Sequence, residues 1–342
     1  MSQAPSTIGE LRRAEYRVLP VRTELRRNLI RKLSNNEELF RGIRGYDDSV
    51  IPQIENAILA GQDMVLLGER GQAKSRLIRS MVSLLDDAVP AIAGCEINDD
   101  PYAPICRRCR DLVTEHGDAT ELAWLSPDQR YSEKLATPDT SIADLIGEVD
   151  PIRVAEGRYL SDELTIHYGL IPRTNRGIFA INELPDLAER IQVGLLNIIE
   201  ERDVQIRGYR LRLPLDVFVV ATANPEDYTN RGRIITPLKD RFGARVRTHY
   251  PSDVATELEI VQAEAKPLSS IGIRVEVPAF MAEIVARLSQ LARRSPRVSQ
   301  RSGVSVRLSI TNYETLAAAA VRRAVRAGES EAVARVSDLD AL

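Results

Sequence analysis

Residues 63 to 75, "DMVLLGERGQAKS", carry an apolar run into a turn with two glycines, a lysine and a serine, and the helix-patterned "RLIRSMVSLL" follows. A glycine-rich turn between strand and helix exposes successive backbone N–H groups, and the helix N-terminus adds partial positive charge. The backbone of Gly68, Glu69, Arg70, Gly71, Gln72 and Ala73 is the expected phosphate cradle. The Lys74 ammonium is suited to β- and γ-phosphates and the Ser75 hydroxyl to Mg²⁺. Ala73 stands where such loops normally carry their last glycine, and its methyl is tolerable if φ stays negative, which is the expectation. Taken alone, the stretch also reads as an ordinary turn with Lys74 and Ser75 solvated.

Three later elements decide between these readings. "GIFAINEL" is an apolar run that ends in Asn182 and Glu183, as a strand buried on both faces would end. In a phosphoryl-transfer site the first of these positions holds Mg²⁺ through a water and the second polarises the attacking water. Asn182 brings no charge, so weaker Mg²⁺ binding or slower hydrolysis is expected than with aspartate. "VFVVATAN" ends in Asn224, at the strand edge where α/β sheets bind ligands. "PLKDRFG" supplies Arg241, whose planar charge suits a neighbouring subunit's γ-phosphate. Each has a plain alternative: a solvated acid, a turn-capping asparagine, a surface salt bridge. Four such signals, correct in order and type, favour a nucleotide site.

The rest of the chain fits that reading. At 342 residues with 44% apolar and 28% charged residues, it has the composition of a soluble globular protein with one large or two medium domains. Net charge is −3 and aromatic residues are 5%, so neither nucleic acid nor an anionic membrane is an expected partner. Positive charge is almost all arginine, since Lys74 is one of five lysines. No run reaches transmembrane length, and the first residues lack a signal-peptide core. Three cysteines, an odd number, fit a reducing cytoplasm. Residues 1–40 read as a charged N-terminal arm or helix and 41–250 as an alternating α/β core. The polar, turn-rich residues 96–137 read as a surface insertion on that core. From 251 to 342 the pattern is helical, a lid domain that still reads as helix at Leu342, so a longer natural chain is allowed for.

The quoted motifs, with "GLIPRTNRGIFAINELPDL", "LLNIIEERDVQIRG" and "ATANPED", resemble AAA+ ATPases of the magnesium-chelatase I-subunit and MoxR-like branch over roughly residues 40 to 330. The resemblance implies an α/β AAA+ P-loop core with a parallel five-stranded sheet of order 5-1-4-3-2, a hairpin before the fourth strand, and a small all-α lid. It also implies ATP and Mg²⁺ as cofactors and a sensor at Asn224. An arginine finger at Arg241 and a lid arginine at Arg307, with Arg297 or Arg301 as substitutes, follow from it, as do adenine contacts from backbone near Ile43 and Tyr46. A homo-oligomer, a hexameric ring, and a client with a von Willebrand A-type domain are its implied partners, for metal insertion or chaperone-like remodelling.

Two other functions compete. A nucleotide-gated scaffold with little hydrolysis is favoured by Asn182 and opposed by Glu183, Asn224 and Arg241. A transcription activator or DNA-remodelling ATPase would need a DNA-binding element, and none is recognisable. The arginines of "ARRSPRVSQR" are read as lid and subunit-contact charges. Cys95, Cys106, Cys109 and His116 are candidate Cys₃His zinc ligands, with the irregular spacing of the other half against them. His167 and His249 read as structural.

Overall fold

A computed structural model describes residues 4–150, 163–201, 203–205, 212–224, 232–266, 272–298 and 304–342. Arg301, the tip of the 203–214 hairpin and the residues after Asn224 up to 231 lie outside the described residues. The chain forms two compact units. One comprises Met1–Phe40, Pro52–Leu67 and Ser75–Val246; the other comprises Arg41–Ile51, Gly68–Lys74 and Arg247–Leu342.

The first unit is built on strands β1 (Met64–Leu67), β2 (Val89–Ile92), β3 (Leu122–Leu125), β4 (Tyr131–Leu135), β5 (Gly147–Val149), β6 (Ile166–Tyr168), β7 (Gly177–Asn182), β8 (Asp203–Gln205), β9 (Arg212–Pro214), β10 (Val217–Ala223) and β11 (Ala244–Arg247). Five of them form one sheet in the order β11-β1-β10-β7-β4. Numbered among themselves, these strands run 5-1-4-3-2, the order the resemblance implies. Pairing is parallel from β1 through β10 and β7 to β4. The three central strands read as near-continuous apolar runs because both faces are covered; β10 is buried at every residue. Helix Glu189–Glu200 adds Ile191, Leu195, Ile198 and Ile199 to the core. Three two-stranded antiparallel ribbons, β2–β3, β5–β6 and β8–β9, complete the strands.

Two expectations change here. Part of the 96–137 segment is no surface insertion, because Tyr131–Leu135 is the edge strand of the main sheet. An edge strand pairs on one side and is only partly covered, so "YSEKL" needs no apolar run and does not announce itself. The N-terminal arm is likewise part of the body. Helices Ile8–Arg13 and Val21–Ser34 bury Ile8, Leu11, Val21, Leu25 and Leu29. From the second of them Glu24 forms a two-pronged ion pair with Arg130, at 2.8 and 2.6 Å. Glu24 is 2% exposed and Arg130 1%. Arg130 Nε also donates to the Arg176 carbonyl, and the Asp86 amide donates to Glu24.

In the second unit helices Val254–Glu264, Ala279–Arg294 and Val306–Ala327 pack around Met281, Val285, Leu316, Ala320 and Ala324. The lid is not purely helical. Strands β12 (Arg274–Glu276) and β13 (Glu331–Val333) pair in parallel, and three residues per strand are too few for alternation to show in sequence. The three helices share a buried charge: Glu257 accepts from Arg293 at 2.6 and 2.7 Å and from the Ser309 hydroxyl. Arg293 is thereby occupied inside the unit, which removes it from the basic cluster weighed for nucleic acid.

Breaking a buried pair strands one charge and costs about 3–5 kcal/mol. Glu24→Ala is expected to lower stability by that order in urea unfolding, and a loss near zero would show that Arg130 finds water or another partner.

Candidate functional site

The loop after β1 is held by its own backbone and by neighbours in the second unit. Lys74 is buried, and its ammonium donates to the Gly68 carbonyl and, at 2.8 Å, to that of Glu69. Gln72 accepts from Thr248 Oγ1 at 2.6 Å, and a Cβ on Gly68 would collide with both side chains. Gly71, at φ +75°, faces Ser305 in the same way. This brings the start of helix Val306–Ala327 against the loop.

Ala73 corrects the expectation of negative φ: it sits at +54°, in the left-handed region. The turn demands that conformation whatever residue fills it, and a methyl there is strained by roughly 1–2 kcal/mol. Tyr46 is buried, and its hydroxyl is shared between the carbonyls of Gln72, at 3.0 Å, and His249, at 2.8 Å. Burial pushes its pKa up to about 12, so it remains a donor at any physiological pH. Ile43 is buried as well. His249 is structural, with Ser49 Oγ at 2.8 Å from Nε2 and the ring edge-on to Tyr46.

In the first unit, the ends of β1, β10 and β7 bring a second set together. Leu67 pairs with Ala223, and Ala221 with Ile181, so the strands finish nearly level. Asn224 Nδ2 donates to Glu183 Oε2 at 2.7 Å. Glu183 lies in the left-handed region at φ +55°, and its amide donates to Thr222 Oγ1 at 3.0 Å. Asn182 Oδ1 lies 3.5 Å from Ser75 Oγ and 3.4 Å from Thr222 Oγ1. Its Nδ2 donates to Glu133 of β4.

Glu133 and Thr222 were not legible as site residues. Glu133 accepts from Arg79 at 2.8 and 3.1 Å and from the Tyr131 hydroxyl at 3.0 Å. Burial opposes its charge, but Arg79, Tyr131 and Asn182 together hold its carboxyl below the usual range. The neighbouring strand thus puts an ionised group beside the uncharged Asn182.

Arg241 ends helix Thr236–Arg241 and pairs with Glu200 at 2.8 Å, largely at the surface. Arg307 is exposed at the second position of helix Val306–Ala327. Cys95, Cys106 and Cys109 do converge, but His116 is exposed at the end of helix Arg107–His116 and is not with them. Asp99 stands in the fourth place. A cavity of about 450 Å³, lined by Arg22, Asn175, Arg176 and Asp216 among others, lies at the opposite, N-terminal ends of β7 and β10.

A parallel sheet of this order, with a glycine loop after its first strand and polar residues closing its third and fourth, is the α/β arrangement that the resemblance implies. The chain is similar to subunits of magnesium chelatase. It is 29% identical to the magnesium-chelatase 38 kDa subunit of Acidiphilium rubrum over 208 residues, 58% of this chain and 54% of that one. It is 28% identical to the ChlI homologue of Methanocaldococcus jannaschii over 232 residues, 65% of this chain and 58% of that one. The chain thus spans about half the length of these relatives. Among solved structures, the BchI–BchD complex of magnesium chelatase matches at 21% identity and a TM-score of 0.47, over 84% of this chain and 88% of that chain. No family model matches.

Because Ala73 carries left-handed strain, Ala73→Gly is expected to raise stability by about 1 kcal/mol in urea unfolding. A fall in stability would mean that residue 73 does not hold a positive φ in solution.

Proposed function

We propose that this chain is an ATP-hydrolysing subunit of a chelatase-type AAA+ assembly. The observation that carries the reading is the 2.7 Å bond from Asn224 to the Glu183 carboxylate, just past the ends of strands β10 and β7. Glu183 is the base that orients and polarises the attacking water, and Asn224 fixes which way its carboxylate points. The loop from Gly68 to Ala73 cradles the phosphates through backbone amides, and the Lys74 ammonium exchanges its own carbonyl partners for phosphate oxygens. Backbone near Ile43 and Tyr46 contacts the adenine in this reading, which the bond tying Tyr46 to the loop at Gln72 supports.

The fit for Mg²⁺ is an oxygen set: Ser75 Oγ and Asn182 Oδ1 are 3.5 Å apart, too few ligands for a dedicated cage but suited to an ion that arrives with nucleotide. When bound, Mg²⁺ neutralises charge developing on the phosphates. Glu133 holds the amide of Asn182, so the Asn182 oxygen is left to face Ser75.

Arg241 serves the γ-phosphate of a neighbouring subunit's nucleotide, and Arg307, from the lid, the γ-phosphate of its own subunit's nucleotide. The assembly is a homo-oligomeric ring, with a hexamer as the natural closure for this architecture. The sequence relatives are by name subunits of magnesium chelatase, which supports a client complex whose work is metal insertion, with protein remodelling as the broader form. A partner carrying a von Willebrand A-type domain and a cytoplasmic setting complete the proposal. The second reading, a scaffold that binds ATP but scarcely hydrolyses it, is favoured by the missing charge at Asn182.

Steady-state hydrolysis and Mg·ATP calorimetry separate the two. Lys74→Ala is expected to weaken binding by about 30-fold or more, the cost of losing a buried charged donor. Glu183→Gln should keep binding and lose about 10²-fold or more in turnover. Arg241→Ala should keep binding and lose about 10³-fold, and mixing it with Glu183→Gln subunits should restore some activity. Tight binding with no wild-type turnover would establish the scaffold instead, and no binding at all would remove both.

A further inference from the structure

Between β2 and β3 the chain makes an excursion of residues 93–121 that is poor in apolar side chains. At its base Cys95, Asp99, Cys106 and Cys109 meet, with one sulfur or oxygen from each lying within 4.8 Å of all the others. Asp99 is fully buried, Cys109 is fully buried and Cys106 is 6% exposed. There is no disulfide among them. Asp99 Oδ2 accepts from the Cys106 amide at 3.0 Å, while Oδ1 is buried with no hydrogen-bond partner among the described residues. An enclosed carboxylate oxygen with no hydrogen-bond partner, on a residue with an oxygen within 4.8 Å of all three sulfurs, is costly as it stands.

From this geometry we infer that Cys95, Asp99, Cys106 and Cys109 form a structural Zn²⁺ site, with Asp99 Oδ1 as its oxygen ligand. Zn–S bonds of about 2.3 Å place tetrahedral sulfurs about 3.8 Å apart, so the cluster needs to contract by less than about 1 Å to close on one ion. Several irons in one cluster would hold the thiolates farther apart than a single ion does. Three thiolates suit a borderline-soft metal, and the carboxylate argues against Cu(I), which prefers an all-sulfur set.

The surroundings also fit a metal-thiolate centre. The Asp99 amide donates to Cys95 Sγ at 3.3 Å and the Cys109 amide to Cys106 Sγ at 3.4 Å. Such bonds stabilise thiolate and fix its direction. Cys106 is the N-cap of helix Arg107–His116, so the positive helix end lies on the sulfurs. Four anionic ligands leave two negative charges uncompensated by Zn²⁺, and Arg107, Arg108 and Arg110 follow directly in "CRRCR". With four protein ligands the site has no open position, which makes it a clamp on the excursion rather than a catalytic centre.

The test is the metal content of the full-length protein, purified under reducing conditions without added metal, by elemental analysis and native mass spectrometry. One zinc per chain is expected. Exchange with Co²⁺ should give the intense visible bands of a tetrahedral ion and a thiolate charge-transfer band. Cys109→Ser and Asp99→Asn are expected to weaken retention by about 10-fold or more, while His116→Ala keeps the full amount. Should the variants misfold, wild-type protein stripped by a strong chelator and refilled with Zn²⁺ alone is the second measure, with its thermal midpoint expected to fall and then recover. Zinc-free wild type that ignores added Zn²⁺ and Co²⁺, iron in place of zinc, or a Cys106–Cys109 disulfide in the reduced preparation would each overturn the assignment.

Discussion

A strand buried on both faces can carry a polar side chain only where a neighbour satisfies it, as Thr222 is satisfied near the end of β10. In β7 and β10 this forces every reactive group to the carboxyl end, where the strand leaves the core. Asn182, Glu183 and Asn224 all emerge there, and parallel pairing sets their heights against one another. Strand β1, too, ends level with β10. The chemistry proposed for this chain therefore depends first on sheet register, and only then on the identity of the side chains.

Backbone geometry tightens the same region. Ala73 and Glu183 are two of six non-glycine residues with positive φ among the described residues. Glu183 gains from the constraint, since the turn that strains it also aims its amide at Thr222 and its carboxylate at Asn224. Nothing comparable is seen to offset Ala73. Strain of this kind persists where surrounding contacts over-determine the backbone, and Tyr46, Gln72 and Thr248 supply such contacts beside the loop.

Sequence made some of this readable and hid the rest for physical reasons. Apolar runs that end abruptly gave away β1, β7 and β10, and with them the positions of Lys74, Glu183 and Asn224. The strand β4 stayed hidden because an edge strand satisfies only one neighbour and tolerates "YSEKL", so Glu133 was missed with it. The φ of Ala73 was misjudged because a loop's shape is set by where it must go, not by the residue that fills it. His116 was paired with the cysteines by proximity in sequence. The fold carries it to the far end of a helix and brings in Asp99 from a turn whose spacing matches no common ligand pattern.

Helix Val21–Ser34 has a consequence beyond its own packing. Glu24 grips Arg130, and Arg130 directly precedes β4, whose Glu133 holds the amide of Asn182. A segment that reads in sequence as a charged arm is thus a buttress for the sheet edge. In a chimera that borrows its first forty residues from a relative, positions 24 and 130 would have to travel together, since neither charge can be housed in that enclosure without its mate.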